Sequence, residues 1–122
     1  MRFPEIIDLH LHSTVSDGTD TPEAIIRGAT LAGLDLFSVT DHDDVKGCRI
    51  VKECLKEGDP LFVDGVELSC KDEDGKYHIL GYAYDIDAEP VKEVIRRVKN
   101  YRMDKVAGRL AELEEVDRKS VV

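Results

Sequence analysis

The segment Asp8-Leu9-His10-Leu11-His12 places two imidazoles two residues apart. On a strand their side chains share a face, and their Cα atoms lie roughly 6.5–7 Å apart. Both can then converge on one cation. Taken alone, a His-x-His pair more often describes solvated or core-bonded histidines. Asp17 follows ahead of Gly18, where a turn can bring it back toward the strand end. Taken alone, it reads as a turn residue. Asp41-His42-Asp43 closes a short apolar run. Catalytic groups sit at such strand ends in α/β enzymes, though an acidic strand end also caps helices. Glu67 lies between Val66 and Leu68, and His78 falls in the next apolar segment. A carboxylate between apolar neighbours either faces solvent or needs a partner to be buried.

The conjunction says more than any member. All four histidines lie on or at the end of a predicted strand, each near a carboxylate in sequence or in the predicted sheet. Imidazole and carboxylate without thiolate suit zinc, manganese or iron. Ligands from several strand ends point to more than one ion. Ions about 3.5–4 Å apart can clamp a phosphate and generate hydroxide.

These groups need elements to hold them. Residues 6–12 alternate with a period of two, with Ile7, Leu9 and Leu11 on the face opposite the histidines. Thr21-Pro22 is a helix start, Ile25, Ala29 and Ala32 recur at helical spacing, and Gly33 is a C-cap. Residues 34–40 read as a buried strand, 45–55 as a second helix stopped by Gly58, and 61–68 as a third strand. A charged turn at 71–76, with Asp74-Gly75, leads into a returning strand at 77–84. Pro90 opens a last helix of about seven turns, with Val91, Val94, Ile95, Val98, Tyr101, Val106, Leu110 and Leu113 on one face. Gly108 is expected to weaken it, and residues 118–122 to fray. Strands alternating with helices predict an α/β fold with a mainly parallel sheet.

Composition narrows the function classes. The net charge of -9 over 122 residues disfavours a wide basic surface for duplex nucleic acid. Bound divalent cations would cancel part of that charge. No run of 18 apolar residues is present, and the first residues lack the apolar stretch of a signal peptide, so no membrane association and a cytoplasmic location are expected. Cys48, Cys54 and Cys70 form no Cys-x-x-Cys pair and read as reduced thiols.

Taken in order, Asp8-Leu-His10-Leu-His12-Ser13, Ser16-Asp17-Gly18, Thr40-Asp41-His42-Asp43, Gly65-Val-Glu67-Leu-Ser69 and His78-Ile-Leu-Gly81-Tyr82 resemble the PHP (polymerase and histidinol phosphatase) family. The likeness runs from about Ile6 to Arg109. It is strongest to the branch of nucleoside 3',5'-bisphosphate phosphatases and 5'-to-3' exoribonucleases. It implies a distorted (β/α)7 barrel with two or three divalent metal ions (Mn, Zn or Fe) at the strand C-terminal ends. By position, His10 and His12 would hold one ion with Glu67, which bridges to another. Asp17 and His42 would hold a second ion, and His78 would join Glu67 on a third. Asp8, Asp41 and Asp43 would orient the imidazoles, and Asp43 is also a candidate catalytic group. Arg102, on the basic helix with Arg96, Arg97 and Arg109, is the candidate for contacting substrate phosphate; the alternative is a solvated basic face.

The family completes its cluster with a further histidine and an Asp-x-His, and this sequence has no histidine after His78. The expectation is therefore the N-terminal part of such a barrel, with residues 1–89 in the phosphoesterase domain and 90–122 beginning a helical insertion. The implied activity is metal-dependent hydrolysis of phosphate esters on a phosphorylated small molecule or short oligonucleotide. The alternatives are a non-catalytic metal- or partner-binding remnant and a polymerase-associated exonuclease or accessory domain.

Overall fold

Both ends of the first helix are written in the sequence. Thr21 accepts the Ala24 N–H at 3.1 Å, and Pro22 follows at the first helical position. At the other end Gly33, at φ +71°, donates to Thr30 O, and Leu34 donates to Ala29 O. That pair of bonds satisfies carbonyls the helix leaves open and needs the left-handed conformation glycine adopts freely.

The computed structural model describes residues 3–120, with side chains through residue 115. The elements run β1 (Ile7–Leu11), α1 (Pro22–Leu31), β2 (Leu36–Val39), α2 (Lys46–Cys54), β3 (Leu61–Phe62), β4 (Gly65–Asp72), β5 (Gly75–Tyr82) and α3 (Glu89–Ser120). β1, β2 and β3 form a parallel sheet in that order, and β4 and β5 form an antiparallel hairpin. The α/β class expected from the strand and helix alternation is what the chain adopts.

The core lies between the two short helices and one sheet face. Ile25, Ile26 and Ala29 of α1 and Cys48 and Val51 of α2 pack on Phe37 and Val39 of β2. Leu11 and Phe62 extend it onto β1 and β3. Full burial of each large apolar side chain contributes roughly 1.5–3 kcal/mol. Cys48 fastens α2 to the sheet: its thiol donates toward Val39 O (3.2 Å) and Gly65 O (3.1 Å).

Several expectations are corrected. The third strand is not continuous, because Val63 and Asp64 break it into β3 and β4. The break lets β4 leave the parallel sheet and pair with β5. The charged turn contracts to Glu73-Asp74, since both hairpin strands continue through Asp72↔Gly75. α2 ends at Cys54 with Leu55 extended, and Gly58 (φ +91°) serves the following turn. β1 begins at Ile7, which remains 47% exposed, so the predicted apolar face is only partly covered. α3 passes Gly108 without interruption and runs for 32 residues, about 48 Å. It extends through residues 118–120, where fraying was expected, whereas Val121 and Val122 lie outside the described residues. No helix among the described residues is long and apolar enough to cross a membrane.

The position of Cys48 yields a chemical test. It is 1% exposed, and burial pushes its thiol up to about 11. Since the thiolate is the reactive form, Cys48 should hold on the order of 100-fold less of it than an ordinary thiol. Peptide mapping after iodoacetamide treatment of native protein at pH 8 is expected to find Cys54 and Cys70 labelled and Cys48 spared. Equal labelling of all three would contradict this packing.

Candidate metal centre

The C-terminal ends of the parallel strands meet at one carboxylate. β1 carries His10 and leads into His12, β2 leads into His42, and the first residues of β4 carry Glu67. β4 begins alongside the segment after β2: Glu67 N–H donates to Asp41 O, and Asp43 N–H donates to Glu67 O, both at 3.0 Å. These bonds put His42 and Glu67 in parallel register. On the hairpin Ser69 stands opposite His78, which brings His78 back beside Glu67. The β1–β2 register shifts between Asp8 and Leu11, where Asp8 Oδ1 accepts the His10 N–H at 3.1 Å.

The Glu67 side chain is 6% exposed and faces all four histidines of the chain. Its Oε1 lies 2.6 Å from His10 Nε2 and 3.2 Å from His12 Nε2. Its Oε2 lies 2.7 Å from His78 Nδ1 and 3.2 Å from His42 Nδ1. Asp17 closes the arrangement on the solvent side, 2.7 Å from His12 Nδ1 and 3.2 Å from His42 Nε2. The rings of His12 and His42 stand edge to face at 4.4 Å.

His12 and His42 therefore each turn both ring nitrogens toward carboxylate oxygens. A neutral imidazole has one N–H and one lone pair. A lone pair facing a carboxylate at this range is repulsive unless a proton or another cation lies between them. Three ligand-type groups result, each with donor atoms within 4.8 Å of one another: His10, His12 and Glu67; His12, Asp17 and His42; and His42, Glu67 and His78.

Carboxylates clamp the segments that carry these groups. Buried Asp41 accepts the Ser13 N–H (2.6 Å) and the hydroxyls of Ser13 (2.7 Å) and Ser16 (2.8 Å). This fixes the segment between His12 and Asp17. Buried Asp43 accepts the Ser69 N–H (2.7 Å) and hydroxyl (2.8 Å), which fixes β4 beyond Glu67. Asp43 sits at φ +54°, a conformation that Asp tolerates better than most residues. Tyr82 donates its hydroxyl to Leu9 O at 2.6 Å and ties the hairpin to β1.

Asp8, Asp41 and Asp43, expected to orient the imidazoles, reach them through the chain segments that bear them. They hold backbone N–H groups and serine hydroxyls, so they act on the segments and not on the rings. Asp43, expected as a catalytic group, is 1% exposed and already engaged by Ser69 and by the Arg102 guanidinium at 3.0 Å. The serines lie inside the sequence motifs, but a hydroxyl two or three residues from a ligand does not reveal which acid it will meet.

Beside the cluster lies an open cleft of about 570 Å³. Asp17, His42 and His78 form one side, and Lys99 and Arg102 of α3 form the other. Arg102, the candidate for contacting substrate phosphate, lines this cleft and is paired with Asp43. Lys99, held by Asp44 at 2.8 Å, was missed, although its i, i+3 spacing from Arg102 puts it on the same helix face. Arg96 and Arg97 instead pair with Glu93 along the helix.

A PHP domain model matches residues 8–119. The chain belongs to the PHP family. This PHP chain is 41% identical over 78 residues to a phosphoribosyl 1,2-cyclic phosphate 1,2-diphosphodiesterase of Eggerthella lenta, covering 62% of the chain and 30% of that protein. It is 32% identical to a 5'-3' exoribonuclease of Escherichia coli (89% and 39% covered) and 34% identical to a 3',5'-nucleoside bisphosphate phosphatase of Chromobacterium violaceum (88% and 38%). A solved structure described as an amidohydrolase from Chromobacterium violaceum, with bound sulfate, aligns with TM-score 0.79 at 28% identity, covering 92% of the PHP chain and 39% of its own. The chain thus spans 28–39% of the length of the first curated relatives it matches.

Acid titration tests how the PHP chain holds Glu67. Burial pushes its carboxyl up, but hydrogen bonds from His10 and His78, the charge of His42 and a hydrogen bond from His12 together bring it below its ordinary 4.5. A carboxyl lowered on folding stabilises the fold above its unfolded value, and that contribution disappears as pH falls through the lowered value. In metal-free protein followed by urea unfolding, Glu67→Gln is expected to lose less stability than wild type as pH drops below about 4.5. Parallel stability curves for the two proteins would show that the imidazoles do not stabilise the ionised form.

Proposed function

We propose that this chain is the metal-binding, N-terminal part of a hydrolase acting on phosphate esters of nucleotide type. The observation that carries the reading is Glu67, a buried carboxylate faced by four imidazoles, with Asp17 beside two of them. The donor set fits divalent ions. Two ligand atoms about 2.0–2.2 Å from one ion lie roughly 3–3.5 Å apart; the 3.2 Å separations of His12 and His42 from Glu67 and of His42 from Asp17 fall in that range, and the 2.6–2.7 Å contacts of His10, His78 and His12 would open slightly to admit an ion. The nitrogens of His12 and His42 that would otherwise face carboxylates without a proton are the ones a cation would satisfy. His10, His12 and Glu67 would hold one ion, Asp17 and His42 a second, and Glu67 with His78 a third. Imidazole and carboxylate favour Zn, Mn or Fe, and availability selects among them.

When bound, the metals supply Lewis acidity toward a phosphoryl oxygen and an acidified water. The chain's own residues do the rest. Glu67 and Asp17 balance the positive charge, and Asp41 and Asp43 fix the segments bearing the ligands. Lys99 and Arg102 present cations across the cleft, where phosphoryl oxygens would be received. Relatives named as a bisphosphate phosphatase, an exoribonuclease and a cyclic-phosphate diphosphodiesterase share phosphate-ester hydrolysis and support that class. Their length, more than twice that of this chain, supports reading the parallel sheet as one section of a distorted (β/α)7 barrel.

Metal uptake is the test. Purified chain is loaded with Mn or Zn, dialysed, and assayed by plasma mass spectrometry and calorimetric titration. At least one ion per chain is expected to remain. His10→Ala and His42→Ala should each weaken binding by at least about tenfold, since loss of even an outer-shell partner of a metal ligand costs about 10–100-fold. Glu53→Gln, on the exposed face of α2, should bind as wild type does. No retained ion, or equal loss in all three variants, would refute the reading.

A further inference from the structure

The start of α2 and the first turns of α3 flank a second cleft, of about 400 Å³. That is the size of a small-molecule site, for which about 300–1,000 Å³ is usual. Asp44 and Lys99, paired at 2.8 Å, line both this cleft and the one beside the metal centre. Their ion pair is the partition between the two.

The lining has two parts. Val45, Ile86, Val91 and Ile95 supply apolar surface; Ile86 is 4% exposed and the other three are half-buried. Val91 and Ile95 stand four apart on α3 and share a face. Cations rim this surface: Lys46 and Arg49, three apart on α2, and Lys92, Arg96 and Lys99, at spacings of four and three on α3. Among the described residues, Asp44 is the one acid in the lining. The chain has 26 acidic residues against 17 Lys and Arg, so such a rim is not what average composition supplies. Most of these cations already hold an acid of their own. Arg49 pairs with Asp87 at 2.9 Å, Lys92 with Glu89 at 3.6 Å, Arg96 with Glu93 and Lys99 with Asp44. Lys46 forms no ion pair among the described residues. It stands in the first turn of α2, where the helix dipole adds to the positive potential. The cleft thus offers an apolar wall with one unmatched cation at its edge.

We propose that this cleft binds a small organic monoanion with an apolar body, an aryl or short acyl carboxylate, apart from the phosphate ester received beside the metal centre. The body lies on Ile86, Val91 and Ile95. The carboxylate meets Lys46 and Arg49, whose guanidinium can engage it through two parallel N–H bonds. A phosphate dianion is the poorer match, because it brings a second charge to cations that their own acids already balance. A neutral apolar molecule forgoes Lys46. Since Asp44 and Lys99 belong to both clefts, the occupant sits one ion pair away from the substrate side.

The test titrates the 122-residue chain with naphthoate by calorimetry and maps the site by amide NMR shifts. Acetate serves as the head alone and naphthalenemethanol as the body alone. Naphthoate is expected to bind at least about tenfold tighter than acetate, because only it buries a ring against the apolar wall. It should likewise bind about tenfold tighter than naphthalenemethanol, which lacks the charge-assisted hydrogen bonds. Shifts are expected at Val45, Arg49, Ile86 and Ile95. Lys46→Gln/Arg49→Gln should weaken naphthoate by about tenfold, with naphthalenemethanol unchanged. Ile95→Ala should weaken naphthoate and leave acetate as it was. Lys56→Gln, which removes a charge from the turn after α2, should bind as wild type does. Equal affinities for naphthoate and acetate, or the same loss from Lys56→Gln, would overturn the site. So would shifts centred on Val106 and Leu110, which would mark general adhesion to the exposed part of α3. His42→Ala, a variant of the metal centre, should keep full naphthoate binding; its loss there would move the carboxylate to the metal side and overturn the separate cleft. Retained naphthoate binding in a protein that takes up no metal would instead sink the phosphoesterase reading and leave this site standing.

Discussion

A single buried carboxylate organises this molecule. Glu67 lies among four imidazoles drawn from three separate parts of the chain, and its ionised form is favoured despite burial. Such a group is tolerable only while its partners stay in place. Each segment that bears a histidine is accordingly fixed by something other than the imidazole itself. Asp41 holds the Ser13–Ser16 segment, Asp43 holds Ser69, and Tyr82 holds β1. The cluster is prearranged because its supports are hydrogen bonds between backbone, hydroxyl and buried carboxylate.

The break between β3 and β4 is what permits this. Had residues 61–68 continued as one strand of the parallel sheet, Glu67 would have advanced beyond the strand ends and no hairpin would have returned His78. Instead Val63 and Asp64 interrupt the strand, and Gly65 restarts it close against Ser38 and Thr40, where a side chain would collide with both. Cys48 and Tyr84 both donate to Gly65 O and pin that restart to the core and to the segment after β5. Core packing and site geometry thus meet at a residue with no side chain.

Much of this was legible in the residues. The period of two over 6–12 placed His10 and His12 on one face, Thr21-Pro22 and Gly33 bounded α1, and the motif order marked the PHP family. The element types follow because local propensity and pattern agree at those points. The strand break at Val63-Asp64 was not legible, since both residues continue an apolar run with one acid and only the hairpin pairing decides the matter. The partners of Asp41 and Asp43 were hidden for a similar reason: they lie 25–28 residues away in sequence, and no periodicity records which serine an acid will reach. Gly108 was expected to weaken α3, yet one glycine costs only about 1 kcal/mol against a helix this long.

The claim that matters most is that imidazoles and carboxylates around Glu67, not the three thiols, hold a divalent ion. Zinc K-edge X-ray absorption on the zinc-loaded chain addresses it directly. The account predicts a first shell of nitrogen and oxygen at about 2.0–2.2 Å with imidazole scattering beyond it. A sulfur shell at about 2.3 Å, or a shell of water oxygens without imidazole, would contradict it.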